Sequence, residues 1–168
     1  MTITAETRAT VRMIYAYSCG YCGVSENDVG NELDIDHYRP IKRGGNDDTE
    51  NLVYVCPACN RYKGDYWPQE GDPDSFYLLN PAEDDLSAHI ALMMNGRLSG
   101  LTPRGWFHIQ WLHLNRPQLI AWRQKQQHIA ELQQSIAQSE TTQQKLRERI
   151  RALEQEVANL QELITRLL

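Results

Sequence analysis

Two Cys-x2-Cys pairs constrain the fold of this chain more than any other feature of its sequence. Cys19 and Cys22 form the first pair, and Cys56 and Cys59 form the second, with 33 residues between the pairs. Each pair offers two sulfurs from one tight turn, which suits tetrahedral Zn²⁺, and four thiolates leave no open position for water. We therefore predict a structural zinc site that contributes to the folding of a small domain.

The alternatives to zinc are four unrelated reduced cysteines or a redox-active pair. The first residues show no charged segment followed by an apolar stretch and a cleavage site, so we expect no signal peptide and a cytoplasmic protein. No apolar run approaches the roughly 18 residues that a membrane-spanning helix needs. Paired cysteines in the cytoplasm are typical of metal ligands rather than disulfides, and a thioredoxin-like role lacks its βαβ context.

The pattern of apolar and turn-forming residues predicts an α+β fold. The expected elements are a helix over residues 5–17, strands over 33–38 and 52–55, and a short helix over 57–63 with Pro57 in its first turn. Further along, Asn95-Gly96 indicates a hairpin over residues 89–101. Thr102-Pro103 is typical of a helix start, and this helix is expected to end near residue 114.

The segment between and around the cysteine pairs carries short motifs in a fixed order. They are Leu33-Asp34-Ile35-Asp36-His37, then Gly44-Gly45-Asn46, then Glu50-Asn51-Leu52, and then Cys56-Pro57-Ala58-Cys59-Asn60-Arg61-Tyr62-Lys63. Together they resemble the HNH endonuclease family, whose core reads D-H, G-G, E-N-L and C-x-x-C-(H/N)-x-x-K. The resemblance covers about residues 19–65, and it implies a ββα-metal core that hydrolyses phosphodiester bonds.

The resemblance also implies roles for particular residues. His37 corresponds to the general base that activates water, and Asp36 corresponds to a metal ligand. Asn51 corresponds to the residue that orients the base and braces the loop. Asn60 takes the last position, a metal ligand for which the family has either histidine or, commonly, asparagine. The chemistry is consistent with these roles, because this hydrolysis needs an activated water and a Lewis acid, and histidine titrates near neutral pH.

The residue types predict which metal the site binds, and their place in the sequence predicts the shape of the strand that carries them. Asp36 and Asn60 offer only oxygen atoms, and an all-oxygen pair suits Mg²⁺ or Mn²⁺ better than Zn²⁺. Adjacent residues of an ideal strand point to opposite faces. The strand must therefore end or twist at this point if Asp36 and His37 are to reach the same phosphate.

Basic residues cluster near the predicted site in a chain that is acidic overall. The net charge is −5, and residues 1–116 hold 10 basic and 16 acidic side chains. We expect a phosphate-binding rim formed by Arg39, Lys42, Arg43, Arg61 and Lys63. The overall acidity predicts weak, salt-sensitive binding of plain duplex, so delivery of DNA by another protein or by dimerisation is expected.

Residues 117–168 predict a coiled coil. Steps of three and four from Ile129 give twelve seam positions, of which ten are apolar. The a positions hold Ile129, Ile136, Ile150, Val157 and Ile164, and the d positions hold Leu132, Leu146, Leu153, Leu160 and Leu167. This distribution favours a parallel homodimer through residues 129–168, with Arg149 placed to pair with Glu154 of the second copy. The alternative is a helix packed on its own domain or on a different protein.

The sequence therefore predicts three parts. They are an HNH nuclease core in residues 1–80, a hairpin and helix extension in residues 81–116, and a coiled coil in residues 117–168. The expected function is metal-dependent hydrolysis of DNA, and Tyr66-Trp67-Pro68 and residues 114–117 resemble bacterial HNH proteins found near defence genes. The alternatives are RNA as the substrate, or a non-catalytic, zinc-containing nucleic-acid-binding adaptor that recruits a partner through its coil.

Overall fold

The computed structural model describes residues 3–167 and shows an α+β protein with two small antiparallel sheets and a long C-terminal helix. The elements are α1 (Ala5–Ile14), α2 (Glu26–Val29), β1 (Asp34–His37), β2 (Leu52–Val55), α3 (Pro57–Lys63), α4 (Leu86–His89), β3 (Ile90–Leu92), β4 (Leu98–Gly100), α5 (Pro103–Trp111) and α6 (Pro117–Leu167). One-turn 3-10 helices lie at Ile41–Arg43, Thr49–Asn51 and Asp74–Phe76. The predicted fold class is confirmed.

The chain forms two units, of which the first ends at Gln124 and the second begins at Lys125. We call the first unit the head. The start of α6 belongs to the head, because Leu119 is buried and Arg123 donates hydrogen bonds to the carbonyls of Gly96 and Leu114. The unit boundary therefore lies inside α6 and not at residue 117, where the sequence predicted the start of a separate part.

Strands β1 and β2 and helix α3 form the centre of the head. The strands pair antiparallel, with Asp34 opposite Val55 and His37 opposite Leu52. All four residues of β2 are buried. Helix α3 begins directly after Cys56, which accepts a hydrogen bond from the backbone of Cys59, and Pro57 fits its first turn because no partner is needed for a backbone N–H there. The predicted strand over 52–55 and helix over 57–63 are confirmed.

Helix α1 is shorter than predicted. It ends at Ile14 instead of residue 17, because Ala16 and Tyr17 adopt positive φ angles of 46° and 59°, which a right-handed helix cannot include. Its buried residue Val11 faces the core of the head. The early end of α1 leaves residues 15–18 free to lead the chain into the first cysteine pair.

The predicted hairpin is present with shorter strands than expected. Ile90 pairs with Gly100 and Leu92 with Leu98, and Gly96 in the connecting turn has a φ of 74°. Thr102 caps α5 by accepting a hydrogen bond from the backbone N–H of Gly105, as its position before proline predicts. Helix α5 ends at Trp111 and not near residue 114.

Helix α6 runs for 51 residues and leaves the predicted coiled-coil seam uncovered in the single chain. The apolar seam residues are 36–85% exposed, from Ile129 at the low end to Leu167 at the high end. None of the helices in the described part of the chain has both the length and the apolar character needed to cross a bilayer. The seam is therefore a large apolar surface that a single copy of the chain does not bury.

Candidate metal centre and nuclease site

The four cysteines converge in the head as the sequence predicted. Their sulfur atoms all lie within 4.8 Å of one another, and the Sγ atoms of Cys22 and Cys56 are 3.7 Å apart. A tetrahedral zinc ion with Zn–S bonds of about 2.3 Å holds its sulfurs about 3.8 Å apart. All four side chains are buried, so the cluster fits a closed, structural zinc site.

Each cysteine pair is positioned by backbone hydrogen bonds of its own turn. In the first pair, the N–H of Cys19 donates to the carbonyl of Val24, and the N–H of Gly23 donates to the carbonyl of Cys19. Gly23 has a φ of 80°, a conformation that favours glycine. The second pair lies where β2 joins α3. A metal bound here would tie the turn after α1 to the strand and helix of the predicted nuclease core.

Arg116 supplies a positive charge to this cluster that the sequence did not indicate. Its guanidinium nitrogens lie 3.7 and 3.9 Å from Sγ of Cys59. Hydrogen bonding among the four sulfurs raises the pKa of the Cys22 and Cys59 thiols and lowers the pKa of the Cys19 and Cys56 thiols. Zinc binds cysteine as the thiolate, so its binding weakens as the pH falls.

Two polar contacts connect β1 to α3 on one face of the core. The amide nitrogen of Asn60 donates to the carboxylate of Asp34 at 3.3 Å, and the Lys63 ammonium lies 2.9 Å from the carboxylate of Asp36. The alternation of side chains along a strand places Asp34 and Asp36 on the same face. The predicted metal ligands Asp36 and Asn60 therefore both lie at this β1–α3 junction, together with a second carboxylate, Asp34, for which the sequence suggested no role.

Lys63 corrects the predicted phosphate-binding rim. Its side chain is 1% exposed, and its ammonium also donates to the backbone carbonyl of His37 at 2.7 Å. The residue lies on the inner face of α3, so it holds Asp36 and the end of β1 in place and does not reach a phosphate at the surface. Burial raises the pKa of the Asp36 carboxyl, and Lys63 opposes this shift.

The imidazole of His37 is held by a residue that the sequence did not single out. Nε2 of His37 lies 2.7 Å from Oδ1 of Asp47, and the two side chains are 21% and 34% exposed. Asp47 lies in the loop between the two strands, ten residues after His37. His37 thus lies at the end of β1 with one ring nitrogen occupied by a carboxylate.

Asn51 braces this same loop. Its side-chain oxygen accepts from the N–H of Arg39 at 2.8 Å, and its side-chain nitrogen donates to the carbonyls of Arg39 and Asn46 at 3.1 and 2.7 Å. Gly45 lies so close to the backbone of Arg39 that a Cβ atom at position 45 would come within 1.9 Å of the Arg39 carbonyl oxygen. The resemblance implied that Asn51 both orients the base and braces the loop, and its hydrogen bonds run to the loop backbone.

The remaining basic residues of the predicted rim are exposed. They are Arg39, Lys42, Arg43 and Arg61. Lys42 lies 3.3 Å from the carboxylate of Asp65, and the Arg39 guanidinium lies 5.2 Å from the centre of the Trp67 ring. The rim therefore consists of exposed side chains on the segment 39–43 after β1 and on α3, and Asp65 already balances part of its charge.

Residues 19–66, which include the cysteine cluster, both strands and α3, match the family model of the HNH endonucleases. Residues 19–66 are thus an HNH-type domain with four clustered cysteines, and the resemblance seen in the sequence is confirmed for that part of the chain. The chain is also similar to Septu protein PtuA from Bacillus mycoides (strain KBAB4), with 24% identity over 132 residues. That match covers 62% of this chain and 18% of the relative, so the chain spans less than a fifth of the relative's length.

Proposed function

We propose that this protein is a divalent-metal-dependent endonuclease that hydrolyses phosphodiester bonds of DNA. The observation that carries the proposal is the end of β1, where neighbouring residues present a carboxylate and an imidazole in an HNH domain. Asp36 lies against Lys63 of α3, the helix that also carries Asn60, while His37 lies against the loop held by Asn51. These are the residue types that hydrolysis needs for a metal site and for a general base.

In the proposed reaction each side chain of the site has its own role. His37 takes a proton from the attacking water, and Asn51 keeps the neighbouring loop in shape. Oxygen atoms of Asp36 and Asn60, with Asp34 beside them, are suited to hold Mg²⁺ or Mn²⁺. A bound metal of this kind supplies a Lewis acid at the scissile phosphate. Lys63 keeps Asp36 fixed from the inner side.

The first test is the metal dependence of cleavage. Zinc-loaded protein is incubated with supercoiled plasmid and with a labelled short RNA, in parallel with Mg²⁺, with Mn²⁺, with added Zn²⁺ alone, and with no added metal. We expect nicked or linear plasmid with Mg²⁺ or Mn²⁺, and intact plasmid in the other two reactions. If only the RNA is cleaved, RNA and not DNA is the substrate. If both nucleic acids stay intact in every reaction, the proposed activity is contradicted.

The second candidate function is a zinc-containing, non-catalytic adaptor. It is favoured by the acidity of the chain, whose residues 1–116 carry a net charge of −6 (10 basic against 16 acidic), and by the burial of Lys63. The adaptor function would explain the exposed seam of α6, but it does not explain the contact between His37 and Asp47. Binding of nucleic acid without cleavage under any metal would favour the adaptor.

The negative charge of the head also affects how strongly the enzyme binds nucleic acid. A confined rim of four exposed basic side chains predicts weak binding that weakens further with salt. We therefore propose that DNA is delivered by a partner protein or is held by two heads together, within a bacterial defence complex. The partial similarity to a Septu protein supports this setting.

We further propose that the seam of α6 binds a second copy of the chain in parallel. β-branched residues at the a positions and leucine at the d positions favour a parallel pair, and Arg149 and Glu154 provide opposite charges at its edge. In such a pair the two heads lie at the same end of the coil. This arrangement offers a route from single-strand nicks to double-strand cuts.

Disruption of the seam tests this interface. Leu153→Asp places a charge at a d position, and Gln155→Asp places the same charge on the outer face of the same turn as a control. We expect light scattering to give a dimer of the 19.4 kDa chain for the wild type and for Gln155→Asp, and a monomer for Leu153→Asp. The monomer should still nick plasmid but should yield fewer double-strand cuts.

The orientation of the pair has its own measurement. Ser139 occupies a d position, so Ser139→Cys brings two thiols together in a parallel dimer, and oxidation should then link the two copies. A dimer that does not cross-link under oxidation would contradict the parallel orientation. A wild-type chain that stays monomeric at micromolar concentrations would contradict the homodimer and favour a different protein as the partner of the seam.

A further inference from the structure

The contact between His37 and Asp47 determines which nitrogen of the imidazole carries the proton. A neutral imidazole has one N–H and one nitrogen lone pair, whereas an ionised carboxylate only accepts hydrogen bonds. Because Oδ1 of Asp47 lies 2.7 Å from Nε2 of His37, the hydrogen must be on Nε2. Nδ1 therefore keeps its lone pair and is the nitrogen able to accept a proton from water.

We propose that Asp47 is the positioning residue of the general base, and that Asn51 acts on His37 only through the loop that carries Asp47. This inference rests on the proposed nuclease function. Asp47 selects the Nε2–H form of the imidazole, holds the ring in one orientation and stabilises the positive charge that the ring acquires when it takes a proton. Such carboxylate partners of functional histidines fix both the tautomer and the orientation of the ring.

The route from Asn51 to His37 follows hydrogen bonds of the loop. Asn51 donates to the carbonyl of Asn46, and this carbonyl belongs to the peptide bond that begins Asp47. Asn51 also accepts from and donates to the backbone of Arg39, which lies two residues after His37. The amide side chain of Asn51 thus helps to close the loop against the end of β1, together with backbone hydrogen bonds from Tyr38 to Asn51 and from Gly45 to Pro40. In the proposal, this closure sets the position of the Asp47 carboxylate.

The proton balance of the step is complete with these groups. One O–H bond of the attacking water breaks, its proton goes to Nδ1 of His37, and the oxygen forms the new bond to phosphorus. The 3′ oxygen leaves with the bonding electron pair and takes a proton from solvent. Nε2 keeps its hydrogen throughout, and no redox partner is needed. Asp47 stays ionised and stabilises the imidazolium through the bond that it already makes.

Asp47→Ala removes the positioning carboxylate, and Glu50→Gln removes one negative charge from an exposed side chain of the same loop as a control. We expect Asp47→Ala to lower kcat by about 10- to 100-fold, the range in which the loss of a hydrogen-bonded partner of a metal-bound histidine lowers activity. The KM for plasmid and the affinity for Mn²⁺, measured by electron paramagnetic resonance, should change little. Asp47→Glu should restore part of the rate, because it restores a carboxylate.

The tautomer is read directly by nitrogen-15 NMR of the histidine rings, with the His37→Ala spectrum assigning the signals of His37. The wild type should show the Nε2–H form, and Asp47→Ala should show a mixture of both forms. In the Asp47→Ala background, Asn51→Ala should lower kcat by much less than it does in the wild type, because both residues act through one loop. This coupling is not expected of two residues with unrelated structural roles.

Two results would overturn the inference. The first is that His37 has the same tautomer in Asp47→Ala as in the wild type. The second is that the kcat of Asp47→Ala equals that of Glu50→Gln. If Asp47→Ala loses zinc or its melting transition, the same measurements are made on Asp47→Asn, which preserves side-chain volume while removing the charge. A wild-type protein that cleaves nothing would contradict the proposed nuclease, while the NMR measurement would still decide whether Asp47 selects the tautomer.

Discussion

His37→Ala is expected to lower the rate of plasmid cleavage by about 10²- to 10⁴-fold, which is the usual contribution of a positioned general base. Nε2 of the imidazole is engaged by Asp47, which leaves Nδ1 as the proposed acceptor of the proton from water. Alanine removes the proton acceptor but leaves the carboxylates at the β1–α3 junction. The measurement is the initial rate of nicking at saturating Mg²⁺ or Mn²⁺.

The fold should survive this substitution. The His37 side chain is partly exposed, and the ammonium of Lys63 contacts the backbone carbonyl of residue 37, which alanine retains. Zinc content and the melting temperature should therefore stay close to those of the wild type. His128→Ala, on the exposed surface of α6, is the matched control and should cleave at the wild-type rate. Undiminished cleavage by His37→Ala would remove His37 from the mechanism.

Removal of zinc is expected to unfold the head. Structural zinc contributes about 10–16 kcal/mol of apparent binding free energy in zinc-finger peptides at neutral pH. A domain of ordinary size is stable by only about 5–15 kcal/mol in total. Because the cysteine pairs join the turn after α1 to the β2–α3 junction, metal-free protein loses the connection that holds these elements together. Cys59→Ser, at a fully buried ligand position, should have the same effect.

The transition is followed by near-ultraviolet circular dichroism and by tryptophan fluorescence after treatment with a strong zinc chelator. Both signals should be lost as zinc leaves, and added Zn²⁺ but not Mg²⁺ should restore them. Nicking activity should be lost over the same range of chelator, even with Mg²⁺ in excess. A zinc-free protein that retains its near-ultraviolet spectrum and melting transition would show that the four cysteines do not stabilise the head through a metal.

The parts of the site that could be predicted from the sequence are those defined over short distances along the chain. Each cysteine pair lies within one turn, and Pro57 after Cys56 marks the start of α3. Asn95-Gly96 similarly identified its hairpin. The ends of elements were predicted less well, because the end of α1 depends on two residues with positive φ angles, for which no glycine provides a signal.

Contacts between distant segments were not predicted. Asp47 reaches His37 across a ten-residue loop, Asp34 meets Asn60 across 26 residues, and Arg116 meets Cys59 across 57 residues. Each of these residues is a common polar type with no local pattern around it. Lys63 shows the opposite error, since its charge suggested a surface role although the helix turns it inward.

The sequence by itself determined that four sulfurs would meet, that a β-β-α core would follow the first cysteine pair and include the second, and that a long helix would come after it. Local hydrogen bonding, turn geometry and apolar periodicity decide these features, and all three can be read from neighbouring residues. Only the tertiary structure decided which carboxylate faces which base and which lysine is buried. Those pairings depend on how β1, α3 and the loop pack together, and packing brings together side chains whose separation along the chain carries no signal.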